Sequence, residues 1–133
     1  MELKYSVLMS VYAKEKPEYF RLALESMINQ TAKPDEIVIV QDGTLPKELY
    51  DTVWGYTASC PKLIKIIVSA KNVGLGLALN LGLRHCKNEL VARMDTDDIS
   101  LPERCEKQLY HFKKNSDLSI CGTWIDRISS GEW

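Results

Sequence analysis

The sequence predicts an α/β fold in which a mostly parallel sheet carries helices on both faces. Short runs rich in β-branched residues recur along the chain, each followed by a segment with apolar residues at helical spacing. The runs are apolar at successive positions instead of alternating, Ile37 to Val40 above all, as befits strands covered on both faces. Polar residues suited to chemistry gather where these runs end, Asp42, Asn72 and Asp95 to Asp98 among them.

Taken in order, Tyr5 to Tyr12 predicts a first strand. Pro17 suits the first turn of a helix, where its missing N–H would lack a partner anyway, and Phe20, Leu24, Met27 and Ile28 continue that helix to an end near Gln30. Glu36 to Val40 predicts a buried second strand. Thr44, Leu45 and Pro46 then start a helix carrying Leu49, Val53 and Tyr56. Leu63 to Val68 predicts a third strand, and Asn72, Val73 and Gly74 lead into a helix with Leu75, Ala78, Leu79, Gly82 and Leu83, in which Gly76 and Gly82 permit close packing. Glu89 to Met94 predicts the fourth strand. Ser100, Pro102 and Glu103 form a capping box that opens a helix to about Asn115, and Leu118 to Trp124 predicts a fifth strand. Strands alternating with helices favour a parallel sheet with right-handed crossovers.

A length of 133 residues suits one domain. With 17 basic and 18 acidic side chains the net charge is −1, so no overall field draws the chain to nucleic acid, and Lys113 with Lys114 is too short a pair to make a basic patch. Cys60, Cys86, Cys105 and Cys121 are far apart and form no CxxC pair, which argues for reduced thiols in or beside the core and a cytoplasmic setting, the inner face of a membrane included. No apolar stretch is long enough to span a bilayer, and Met1 to Lys4 lacks a signal-peptide pattern.

The most telling stretch is Arg93-Met94-Asp95-Thr96-Asp97-Asp98. Carboxylates this close repel unless a cation or strong donors offset them, and their hard oxygens suit Mg²⁺ or Mn²⁺, whose remaining ligands are commonly a substrate's phosphates. A solvated surface turn is the plain alternative. A calcium loop of the EF-hand kind is excluded, because Ile99 stands in its fifth place and Ser100 where glycine is needed. Asp42 lacks the companions of a phosphatase nucleophile or a receiver phosphoacceptor: Val40 stands two residues before it, and Ser10, Val11 and Tyr12 stand where a receiver needs an acidic pair. Asn80 reads as a satisfied buried amide, His85 and His111 as surface side chains, and Tyr19, Phe20, Tyr110 and Phe112 as helix packing. Since parallel sheets bind ligands outside the carboxyl ends of their strands, Ser10, Tyr12, Asp42, Gly43, Asn72, Gly74 and the acidic cluster are expected around one crevice.

Five pieces in this order, residues 5–12, 24–30, 37–43, 72–80 and 94–98, resemble the family 2 glycosyltransferases, and the resemblance runs from about Lys4 through Trp124. It implies a Rossmann-like GT-A fold, and a chain that holds the nucleotide-sugar-binding part over residues 1–133 without the acceptor-binding half. It implies an inverting transfer of a sugar from a nucleotide diphosphate, with UDP favoured, to a saccharide acceptor hydroxyl in polysaccharide biosynthesis, supported by Mn²⁺ or Mg²⁺. Carried over residue by residue, Ser10 and Tyr12 border the nucleotide, Asp42 hydrogen-bonds the base, and Asn72 and Gly74 line the same pocket. Asp95, Thr96 and Asp97 are the family's DxD motif, in which Asp95 faces ribose and phosphate, Asp97 ligates the metal with Asp95, and Asp98 supports them. The catalytic base is expected beyond Trp133, so no residue is assigned to it. The alternative is a module of the same fold that binds nucleotide without transferring sugar.

Overall fold

The computed structural model describes residues 3–115 and 117–122. Four strands and four helices alternate: β1 (Tyr5–Tyr12), α1 (Pro17–Ile28), β2 (Glu36–Asp42), α2 (Lys47–Ser59), β3 (Ile64–Ser69), α3 (Leu75–Leu83), β4 (Leu90–Arg93) and α4 (Arg104–Lys114). All strand pairs are parallel, in the order β3-β2-β1-β4. The chain therefore moves outward from β1 through β2 to β3, then crosses back to lay β4 on the other side of β1. That reversal opens a crevice at the carboxyl ends of β1 and β4.

β2 is buried along its whole length, which accounts for its unbroken apolar run. On one face of the sheet, Val7, Met9, Val11, Ile37 and Ile39 pack with Phe20, Leu24 and Met27 of α1, Leu49 and Val53 of α2, and Cys105 of α4. On the other, Leu8, Val38 and Val40 meet Ala78 of α3. This second layer is thin, and α3 sits close to the sheet because residue 82 is glycine: a Cβ there would collide with the side chains of Leu8 and Val40. Gly76 plays no such part, since a Cβ there would meet nothing within 4 Å.

The predicted order of elements stands, with three corrections. The last helix starts at Arg104, with Glu103 as its cap residue, so Ser100 opens no capping box. The segment before it is drawn instead onto the end of α1, where the Thr31 N–H donates to the Pro102 carbonyl at 2.9 Å, while the Ser100 hydroxyl accepts from the Arg104 guanidinium at 3.0 Å. Of the fifth strand expected over Leu118 to Trp124, residues 118–122 are not in a strand, and Thr123 and Trp124 lie outside the described residues. Ile120 is 85% exposed and pairs with no strand edge. Asn80 is exposed, because it lies on the outward side of a helix whose fully buried residues are Ala78 and Gly82. His85 and His111 are at the surface, as expected. Among the described residues no helix is long and apolar enough to cross a membrane.

Candidate functional site

An open cleft of about 290 Å³ occupies the crevice between β1 and β4, lined by Ser10, Glu15, Leu75, Leu79 and the stretch from Arg93 to Asp97. Three elements build it. β1 brings Ser10 and delivers the turn that carries Glu15, β4 delivers the acidic loop, and the first turns of α3 contribute an apolar wall through Leu75 and Leu79.

Thr96, at 5% exposure, turns into the protein, whereas Asp95, Asp97 and Asp98 face solvent. Over residues 95–97 the middle residue anchors the loop and its neighbours project. Arg93 lies 3.3 Å from Asp95 in an exposed ion pair, and the backbone N–H of Asp98 donates to the Asp95 carbonyl at 3.4 Å. Even so, negative charge is in excess. Partial burial raises the pKa of Asp98, and the charges of Asp97 and Asp95 raise it further. Partial burial likewise raises Glu15, with Asp97 and Asp95 adding to the shift against a hydrogen bond from Thr96 that lowers it.

The second part of the rim lies beside the cleft. Tyr12 and Asp42 are partners in the β1–β2 register, so they end their strands side by side. Asp42 is only 3% exposed, and its two carboxylate oxygens accept the N–H groups of Val73 at 2.7 Å and Gly74 at 3.0 Å. The Asn72 amide nitrogen reaches the Asp42 carbonyl at 3.5 Å. Gly74 has φ +91° and Gly43 φ +85°, conformations that favour glycine, and a Cβ on Gly43 would press on the Asn72 backbone at 3.1 Å. Asp42 therefore fixes the loop entering α3.

Of the residues singled out from sequence, Ser10, Asp95 and Asp97 line the cleft; Tyr12, Asp42, Asn72 and Gly74 form the adjoining stretch, joined to it through Leu75 next to Gly74. Sequence reasoning passed over Glu15, flanked by Lys14 and Lys16 and so resembling a solvated turn. Its signal was position: it follows the first strand's carboxyl end by three residues. Leu75 and Leu79, which mark the third helix in the sequence, also face the cleft.

Divalent metal is tested by the donor set. Among the described residues no three His, Cys, Asp or Glu side chains converge as a complete cage. Two exposed carboxylates on one short loop, in a field that already raises two neighbouring acids, fit an ion that keeps water and takes phosphate oxygens as its other ligands.

The profile of the family described as Glycosyl transferase family 2 matches residues 6–133. The "Amylovoran biosynthesis glycosyltransferase AmsE" of Erwinia amylovora is 45% identical over 121 residues, covering 91% of this chain and 45% of that protein. The "UDP-Gal:alpha-D-GlcNAc-diphosphoundecaprenol beta-1,3-galactosyltransferase" of Escherichia coli is 39% identical over 125 residues, covering 94% and 45%. The chain thus spans about half the length of the curated relatives it matches. Among solved structures, S. aureus TarS 1-349 in complex with UDP aligns with a TM-score of 0.69 at 25% identity, over 84% of this chain and 32% of that one. The mannosyltransferase PcManGT from Pyrobaculum calidifontis, in complex with GDP-Man and Mn²⁺, aligns with a TM-score of 0.64 at 20% identity over 74% and 29%, a likeness of fold.

Proposed function

Because the chain belongs to glycosyl transferase family 2 and has its GT-A fold, we propose that residues 1–133 act as the nucleotide-sugar-binding domain of an inverting glycosyltransferase. The donor is a UDP-sugar and the acceptor a saccharide hydroxyl, in polysaccharide biosynthesis. The observation that carries this reading is the cleft at the sheet's reversal point, with acidic side chains in excess on one wall and the Asp42 loop beside it.

In this reading Tyr12, Asp42, Asn72 and Gly74 border the base and ribose, with Ser10 between them and the acidic loop. Asp95 faces the ribose and phosphates, and Asp97, with Asp95, holds Mn²⁺ or Mg²⁺. Bound there, such an ion neutralises the charge of the departing diphosphate. The chain's own residues bind and orient the donor, and none is assigned as catalytic base. A relative named for amylovoran biosynthesis and one named for a UDP-Gal donor support the polysaccharide setting and the UDP preference. A structural neighbour in complex with UDP supports the same base.

Calorimetry tests the proposal. UDP should bind weakly without metal, and Mn²⁺ should tighten it by at least about tenfold, ~1.4 kcal/mol. Asp97→Ala should abolish that gain. Equal binding by parent and variant rejects the assignment. If a full-length protein carrying this domain binds UDP with metal but releases no UDP on incubation with UDP-sugars and acceptors, the domain is a binding module of the same fold.

A further inference from the structure

The loop that carries Asp95, Asp97 and Asp98 is exposed and self-repelling, yet both of its ends are tightly fastened. Downstream, the fastening centres on Gln30, just past α1 and 1% exposed. Its Nε2 donates to the Leu101 carbonyl at 2.8 Å and the Ser26 carbonyl at 2.9 Å, and its Oε1 accepts the N–H of Cys105 at 2.9 Å. The Ser100 N–H donates to the Ser26 hydroxyl at 3.1 Å. Upstream, Arg104 bridges the neck of the loop: one guanidinium nitrogen donates to the Arg93 carbonyl at 2.9 Å and the other to the Ser100 hydroxyl at 3.0 Å. Residues 95–99 are thus a short span between two anchored ends.

A buried amide with all its partners filled fixes register in a way that an apolar side chain of equal volume cannot, because losing a partner leaves a costly orphan. Without fixed ends, mutual repulsion among Asp95, Asp97 and Asp98 would splay the loop. We propose that Gln30 is a positioning residue for this loop, holding its downstream end at the register in which Asp95 and Asp97 face one cleft and a divalent cation meets a preformed pair. The cation rests on the donor-site reading above; the hold on the loop does not. Arg104 shares the work, but its charge also acts on Asp98, so neutral Gln30 gives the cleaner test.

Gln30→Met keeps the length and the neutrality, but removes both the donor facing the Leu101 and Ser26 carbonyls and the acceptor for the Cys105 N–H. Ser26→Ala, a milder change, removes the acceptor for the Ser100 N–H. Amide hydrogen exchange without ligand should speed up roughly tenfold or more over residues 95–105 in Gln30→Met and less in Ser26→Ala, with β1 and β2 unchanged. The Mn²⁺-dependent gain in UDP affinity should fall roughly tenfold in Gln30→Met, while metal-free affinity stays at the parent value. Parental exchange and gain in both variants would overturn the proposal, as would faster exchange throughout the molecule in both, which marks a purely structural residue. If the parent itself gains nothing from Mn²⁺, the donor-site reading fails, and exchange over residues 95–105 alone decides whether Gln30 holds the loop.

Discussion

The two ends of the sheet treat carboxylates in opposite ways. At the amino ends of the strands, Glu36 is buried and accepts hydrogen bonds from the Ser6 hydroxyl at 2.6 Å and from the Lys87 N–H, with the Lys65 ammonium 3.6 Å away. Burial pushes its pKa up, but those two hydrogen bonds and the charges of Lys65 and Lys87 together outweigh it, and the net direction is down. At the carboxyl ends, Glu15 and Asp98 go up, through burial first and then through Asp97 and Asp95. One rim neutralises its negative charge with protein groups; the other leaves it in surplus. The first arrangement joins β1, β2 and the entry to β4, and the second, in the proposed function, faces a cation from solution.

The largest effect that would break this comparison is on stability. Glu36→Ala leaves the Ser6 hydroxyl and the Lys87 N–H without their acceptor and should cost about 3 kcal/mol in urea unfolding, whereas Asp97→Ala should change stability by less than ~0.5 kcal/mol. Equal losses would erase the distinction between the rims. Next in size is metal linkage: Mn²⁺ at ten times its dissociation constant should stabilise the parent by about 1.4 kcal/mol, read as a rise in Tm, and leave Asp97→Ala unmoved.

The pH dependences sharpen the contrast, because their signs differ. Glu36 has a lowered folded-state pKa, so its contribution is complete above the ordinary value of 4.5 and is lost as pH falls through the folded value. Glu36→Gln should therefore destabilise the protein near neutrality and flatten its acid limb. Asp98 is raised, so its contribution is complete below the ordinary 3.8 and declines as pH climbs through the folded value. Asp98→Asn should accordingly stabilise at pH 7 and not at pH 3. Water screens this exposed group, and the gain should stay below ~0.5 kcal/mol, the smallest of these effects.

Most of the framework was legible because it rests on local signals. The unbroken Ile37 to Val40 run marked a strand covered on both sides, and Pro17 marked the start of α1. Position at strand ends was enough to gather Ser10, Asp95 and Asp97 into one cleft. What escaped depends on contacts distant in sequence. Ser100, Pro102 and Glu103 carry every local mark of a helix start, but Ser26, Gln30 and Thr31 compete for that segment's backbone and delay α4 to Arg104. Glu15 looked solvated because its neighbours in sequence are lysines, while Thr96 and the aspartates that set its surroundings lie some eighty residues away. The two glycines of α3 look alike in sequence, yet Gly82 alone faces the sheet.

The meeting of Gly43 with the Asn72 backbone has one more consequence. Where the approach is to main chain, no rotamer can swing aside to make room, so the backbone of residues 43 and 72 sets the shape of this part of the rim. In the proposed function, a base settling there meets fixed backbone before it meets movable side chains. In that function, discrimination there should come from the outline of the guest, with adaptable fit left to the side chains of Leu75 and Leu79 beyond Gly74.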